Sequence, residues 1–310
     1  MKKEYIVLIV LIGALSAYLL LHKENRGNYT LPEIQQIETG RITSILIERS
    51  DGPVELNRDG KEWTAGKEKY PVDISLAEAL LDTLKTFRLS VLVSEKEDFK
   101  RYELDEESRI KVNVVMDDDK NFEFFIGKLA PTMNHTYVML TGDKNVYQAN
   151  GSFRNSFDRD IDGFRDKKVL EIKPAAVKQL RVTMGDMSKT VTALESETEG
   201  DETVQTWQTA DGKPADKEKI SGFLGTISYL TCDTYAVDKT KSDFKTATPL
   251  ISLKIDAPDP IDFNLYTSDG DDIIYGISST NGYLFTLSDF DAKEIISGAE
   301  TLLGIEKKEN

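Results

Sequence analysis

From Arg41 to Leu303 the chain states one pattern twice, and that repetition constrains most of what it can fold into. The first statement opens with the strand-like Arg41-Ile-Thr-Ser-Ile-Leu-Ile47, passes Val54-Glu-Leu56 and a turn at Asp59-Gly60, and reaches Trp63. After Pro71-Val-Asp73 the period lengthens. Ile74, Ala77, Leu80, Leu81, Leu84 and Phe87 then fall on one helical face. Strand-like stretches return at 110–116, 122–126, 137–140 and 145–147. The second statement begins at 177–182 and keeps the order. Trp207 is followed by Pro214-Ala-Asp216, by a stripe of Ile220, Phe223, Leu224, Ile227 and Leu230, and by strand patterns at 250–255, 261–265, 273–275 and 283–285. Trp63 and Trp207 are 144 residues apart, Asp73 and Asp216 143, Tyr137 and Tyr275 138. Order, residue type and spacing repeating together mark a duplicated unit.

The expected fold class is α+β. Each unit is a mostly antiparallel sheet of hairpin-connected strands with one amphipathic helix covering a face. Turn residues agree: Asp59-Gly60, Thr141-Gly142, Asp269-Gly270 and Asn281-Gly282 stand between apolar runs. Asp73 is placed to cap the first helix, and Ser75 with Glu78 also fits a capping box. A closing helix is expected over 289–303, with Asp291 and Glu294 at capping spacing and a stripe of Ile295, Ile296, Ala299 and Leu302.

Ahead of this body, the run from Tyr5 to Leu21 is apolar throughout and uncharged, between Lys2-Lys3-Glu4 and the polar stretch that starts at His22. As a helix it spans about 26 Å at ~1.5 Å per residue, near the thickness of a bilayer's hydrocarbon core. The rival is a cleaved signal peptide. Its apolar region typically runs about 7–15 residues and ends at a small-x-small site; here Leu15-Ser16-Ala17 puts a bulky residue at the critical position. No cysteine follows for lipid attachment, so an uncleaved N-terminal transmembrane helix is the reading adopted. Lys2 and Lys3 on one side nearly balance Lys23 and Arg26 on the other. A short basic tail before an apolar segment acts as a signal anchor, which places the body outside the cytoplasm. The layout is then a cytoplasmic tail at 1–4, an anchor at 5–21, a tether at 22–40, a first repeat at 41–157, a connector at 158–176, a second repeat at 177–303 and a frayed tail at 304–310.

The net charge of −15 over 310 residues argues against nucleic acid, which needs clustered Lys and Arg against phosphates. It disfavours a broad contact with anionic lipid for the same reason. Cys232 is the single cysteine, so neither an intrachain disulfide nor a multi-cysteine metal site can form. It follows an apolar helical stripe and reads as a packing residue.

Asp158, Asp160, Asp162 and Gly163 match positions 1, 3, 5 and 6 of a calcium loop, and Asp166 fills position 9. Position 12, which should supply a bidentate Glu, is Val169, and Glu171 comes two residues late. These four aspartates are the weak metal candidates; the competing reading is a polar connector whose carboxylates are partly neutralised by Arg159 and Arg165. Trp63 and Trp207 could stack a ligand, but their matching places before a helix suit core packing better. His135 and His22 leave a zinc site short of ligands, and a Ser-His-Asp triad would have to use His135 without any nucleophile-elbow sequence. Neither G-x-x-x-x-G-K-[ST] nor G-x-G-x-x-G occurs. No catalytic residue and no cofactor is assigned.

Phe99-Lys-Arg-Tyr-Glu-Leu-Asp105, Phe125-Ile-Gly127, Tyr137-Val138, Val146-Tyr147 and Phe164-Arg-Asp-Lys167, with the Trp and Pro-x-Asp elements, resemble the bacterial family called domain of unknown function 4340. The resemblance runs from about Arg41 to about Leu303. In the second unit the Tyr-x-Leu-Asp element is reduced to Phe244-Lys-Thr-Ala-Thr-Pro249, so a site depending on it would occur once. The resemblance implies a membrane-anchored protein, often encoded beside ABC-type permeases of the gliding-motility type. The expected function is a non-catalytic accessory component of a transport or cell-envelope complex, single-pass in the cell membrane, with a protein partner. The alternatives are a module binding an envelope glycan or small solute, and behind it a carboxylate-dependent hydrolase.

Overall fold

The computed structural model describes residues 11–18, 29–34, 36–117, 120–199, 202–268 and 272–305. These divide into two compact units, Met1–Arg165 and Asp166–Asn310. The fold is α+β, and every strand pair among the described residues is antiparallel.

In the first unit the strands are β1 (Ile42–Arg49), β2 (Gly52–Asp59), β3 (Glu62–Ala65), β4 (Tyr70–Pro71), β5 (Leu89–Ser94), β6 (Ile110–Met116), β7 (Asn121–Leu129), β8 (His135–Leu140) and β9 (Val146–Asn150). The helix α1 (Ile74–Lys85) lies between β4 and β5, and two short helices, α2 (Phe153–Phe157) and α3 (Ile161–Phe164), follow β9. The sheet order is β4-β3-β2-β1-β6-β7-β8-β9-β5. Hairpins build most of it, and Gly60 and Gly142 take positive φ (60° and 79°) at their turns, a region that glycine enters without steric cost. One face carries Ile45, Ile47, Leu56, Val112, Val114, Phe124 and Ile126, which close a core with Ala77, Leu80 and Leu84 of α1. Ile74, assigned to that stripe, is instead exposed in the first turn of α1.

In the second unit, β10 (Lys168–Glu171) comes first, then β11 (Gln179–Met184), β12 (Met187–Glu199), β13 (Glu202–Thr209), α4 (Lys217–Thr226), β14 (Tyr229–Thr231), β15 (Ile251–Asp256), β16 (Ile261–Thr267), β17 (Ile274–Ser278), β18 (Leu284–Thr286) and α5 (Asp289–Leu303). The main sheet has the order β13-β12-β11-β15-β16-β17-β18, and β10 pairs separately with β14. Its core joins Leu180, Val182, Leu253, Phe263 and Phe285 to Ile220, Phe223 and Leu224 of α4 and to Ala292, Ile295, Ala299 and Leu302 of α5.

The two sheets share a strand order: three strands run outward one way from β1 or β11, and four run outward the other way from its neighbour β6 or β15. After the helix, β5 returns to the far edge of the first sheet beside β9, whereas β14 pairs with β10 apart from the second. Asp73 and Asp216 hold the same post. Asp73 accepts the N–H groups of Ser75 and Leu76, and Asp216 accepts that of Lys219. α5 is capped by Ser288, which accepts the Asp291 N–H, so the cap lies three residues before the position expected from Asp291 and Glu294.

Two boundaries differ from the sequence reading. The segment 22–40 was expected to be a polar tether, but Leu31, Ile34 and buried Ile37 pack on the first core. The segment 158–176 was expected to be a polar connector, but Phe164 is fully buried in the first core and Val169 and Leu170 in the second. Short apolar pairs set among charges carry no period, yet each still removes hydrocarbon from water. Among the described residues no helix is long and apolar enough to cross a membrane. Of the run Tyr5–Leu21, residues 11–18 are helical and the rest lies outside the described residues, as do Asp269-Gly270 and the tail from Glu306 to Asn310.

Candidate functional site

The motif at 99–105 meets Phe125, Gly127, Tyr137 and Val146 on the face of the first sheet opposite α1, while Ile126, Val138 and Tyr147 join the core on the α1 side. Phe99–Tyr102 forms a 3-10 turn that ends at Glu103, whose φ is 55°. The Leu104 N–H closes the turn on the Phe99 carbonyl at 3.0 Å. Tyr102 then lies against Tyr137, ring centroids 4.9 Å apart, and Leu104 is fully buried. Ala130, Met139 and Val146 complete the cluster, with Phe99, Phe125 and Val93 at its margin. Gly127 lets this happen: a Cβ there would meet the Tyr102 carbonyl oxygen and, at 2.9 Å, Leu104 Cγ.

An ionic chain borders the cluster. Arg154 on α2 reaches the Glu103 carboxylate at 2.5 Å, Asp158 at 3.2 Å and the Ser108 carbonyl at 2.8 Å. Asp158 also receives Arg49 of β1 at 3.1 Å. The Arg109 guanidinium lies 4.4 Å from the Phe125 ring centroid, over its negative face. Sequence reasoning missed Arg49 and Arg154. The available signal was Arg154 itself, a cation between buried Phe153 and Phe157 on a single helical turn.

The second unit builds a reduced counterpart. Phe244 closes a 3-10 turn, Lys241–Phe244, and packs on Tyr266 and Tyr275 at 5.1 and 5.3 Å with Leu284. Tyr275, Ile277 and Leu284 stand where Tyr137, Met139 and Val146 stand in the first unit, each 138 residues further on. Lys239 Nζ lies 4.4 Å from the Tyr275 centroid and donates to Ser268 Oγ at 2.7 Å. Lys241 Nζ donates to the Asn281 carbonyl at 2.7 Å, and burial pushes its ammonium pKa down. The turn 99–102 is thus echoed at 241–244, without an equivalent of Leu104.

The four aspartates singled out as calcium candidates take separate roles. Asp158 joins Arg49 and Arg154, Asp160 caps α3 by accepting the Gly163 N–H at 2.7 Å, Asp162 approaches Arg165 at 3.9 Å, and Asp166 accepts the Lys168 N–H at 2.9 Å. Among the described residues no group of three or more His, Cys, Asp or Glu is placed to hold a metal ion. α3 and its flanks turn these carboxylates onto backbone N–H groups and arginines.

Trp63 and Trp207 are buried in the two cores, and Cys232 is buried in the second. His135 begins β8 and its Nδ1 lies 3.0 Å from Thr132 Oγ1; His22 lies outside the described residues. An open groove of about 300 Å³ sits at the β6–β7 end of the first unit. Ile37, Met116 and Phe122 form its apolar part, and Arg41, paired with Asp117 at 2.7 Å, lines its rim with Lys120.

What these arrangements do chemically is fasten chain. The polar side chains form caps, ion pairs and cation–π contacts around packed aromatics. Among curated proteins, no sequence matches this one. A family model does match, over residues 63–249, more than half of the chain. That stretch contains Trp63, the Phe99–Asp105 turn, Gly127, Tyr137 and Phe244, and ends before Tyr266, Tyr275 and Leu284 of the second cluster. The chain belongs to the family described as Domain of unknown function (DUF4340).

Proposed function

We propose that this protein is a membrane-anchored, extracytoplasmic accessory component of an ABC-type transport or cell-envelope complex. Its body is two copies of one α+β unit, and it has no catalytic role of its own. The observation that carries this reading is where the family's motif residues go. Tyr102, Leu104, Tyr137 and Val146 are buried in packing, and Glu103 is held by Arg154. A motif placed in that way maintains a shape for something else to grip. The shared strand order of the two sheets supports duplication. The uncharged run Tyr5–Leu21 supports the anchor. So does the helix over 11–18, on which Leu11, Ile12, Leu15 and Tyr18 are each more than half exposed, as lipid-facing side chains of a span are in the absence of lipid.

The groove at Ile37, Met116 and Phe122 favours a second reading, a module that binds a small solute or glycan fragment. It predicts a rise in melting temperature with ligand, and a screen of glycans and metabolites without a shift removes it.

Topology is tested by thiol labelling. Val237 is 88 % exposed, so Val237→Cys in a Cys232→Ala background gives one accessible thiol. A membrane-impermeant maleimide is expected to label it in intact cells or spheroplasts. Labelling that requires lysis contradicts an extracytoplasmic body.

A further inference from the structure

We propose that the outer edge of β5 is a docking edge for an added strand from a partner protein, one basic at its N-terminal end and acidic at its C-terminal end. This names partner chemistry for the accessory role and rests on that reading for its biological purpose; peptide binding and complex formation can fail separately.

The sheet of the first unit ends at β5, which pairs with β9 on one side. Among the described residues no strand pairs with its other side. Exposed sheet edges are normally blunted by Lys, Pro or brevity. β5 is Leu89-Ser-Val-Leu-Val-Ser94, six residues without a charge or a proline, and Val91 is exposed. Two register shifts, between Leu89 and Val91 and between Leu92 and Ser94, are its one visible concession to edge protection, and they interrupt the β9 side.

The second unit shows a strand added just ahead of the stretch equivalent to β5. At the 143-residue offset of Asp73 and Asp216, β14 matches residues 86–88, and the chain just beyond it, 232–237, matches β5 and bonds to β18 as β5 does to β9. The Asp233 N–H meets the Thr286 carbonyl at 2.9 Å and the Ala236 N–H meets the Leu284 carbonyl at 3.0 Å. β14 itself pairs with β10, antiparallel, with Leu170 opposite Leu230 and Glu171 opposite Tyr229. That added strand begins with Lys168 and ends with Glu171.

The flanks of β5 call for the same polarity. Exposed Arg88 precedes it and exposed Glu95 follows it, and neither forms an ion pair among the described residues. An antiparallel strand would start beside Glu95 and end beside Arg88, so a basic start and an acidic end give opposite charges at both ends. Strand addition of this kind draws its affinity from main-chain hydrogen bonds and its selectivity from side chains. A second copy of this chain fits less well. Two-fold antiparallel pairing must set one residue opposite itself. Centred on Leu92 it puts Arg88 opposite Lys96 of the other copy, and centred on Val91 it puts them on a diagonal.

The test uses the full chain in mild detergent and two end-blocked peptides, Lys-Thr-Val-Thr-Val-Thr-Val-Glu and its charge-swapped form Glu-Thr-Val-Thr-Val-Thr-Val-Lys. The first is expected to bind about tenfold tighter and to slow amide exchange across residues 88–95. The double variant Arg88→Glu with Glu95→Lys is expected to invert that preference at an unchanged melting temperature. Equal affinity for both peptides, binding without protection at 88–95, or a preference that does not invert would overturn the proposal. Concentration-dependent protection of 88–95 without peptide would overturn it too, in favour of a second copy as the occupant.

Discussion

Tyr102 lies on Gly127 so closely that its carbonyl oxygen occupies the space a Cβ would need. The 3-10 turn from Phe99 to Tyr102 thereby rests on bare backbone of β7, and Leu104 is buried beside it. This one approach joins two family motifs that are separated in sequence and gives their residue types a physical reason.

Gly127→Ala is therefore expected to cost about 1–3 kcal/mol, the range for overpacking a filled site, because one of the colliding atoms is backbone. Gly222 is the control: it is exposed within α4 and nothing stands within 4 Å of a Cβ there. Gly222→Ala is expected to stabilise by about 0.5–1 kcal/mol. Urea midpoints of the two variants should move in opposite directions.

Leu104→Ala deletes a side chain that is fully buried and is expected to cost about 2–5 kcal/mol. Phe244→Ala in the second unit is expected to lower stability as well, because it removes the ring that packs on Tyr266 and Tyr275. Thermal melts of both variants would check these losses, and an unchanged melt for either would contradict its packing role.

Asp73 gives a pH dependence with a defined sign. The Ser75 hydroxyl, and then the Ser75 and Leu76 N–H groups, hold its carboxyl below the ordinary carboxylate range against the opposing effect of burial. A carboxyl whose folded pKa is depressed stabilises above its unfolded value, and that contribution is lost as pH falls through the folded value. Asp73→Ala is expected to cost about 1 kcal/mol near neutral pH. The gap from the parent protein should narrow as pH drops below the ordinary carboxylate range. A constant gap across that window would show that the charge is not what caps α1.

Arg154→Met removes the cation that ties α2 to Glu103, Asp158 and the Ser108 carbonyl. Exposure of the pairs limits the global cost to about 1 kcal/mol. The local effect should be larger, with faster amide exchange across 99–108 than elsewhere in the first unit. Uniform exchange would contradict a fastening role.

Much of this was legible in the sequence, because it was written in local periodicity. The stripe Ala77–Leu80–Leu84, the buried Trp63 and Trp207, and the caps at Asp73 and Asp216 follow from period and residue type alone. What escaped was non-local or too short to have a period. β10 offers two apolar residues, Val169 and Leu170, between charges, and its strand character comes from β14, about sixty residues further on. Ile37 reads as part of a polar tether until the first core claims it. The aspartates near Asp160 fit a weak calcium pattern and a polar connector alike, because both use the same residues; Arg49, the partner of Asp158, lies over a hundred residues earlier, where no local pattern links the two.

The most direct measurement of the central claim is affinity purification of the full chain from membranes in mild detergent, followed by identification of what accompanies it in stoichiometric amount. The accessory role predicts a membrane complex that is retained with the full chain and lost when residues 41–303 are deleted. A full chain that leaves the membrane without detergent, or that purifies strictly alone, would contradict it.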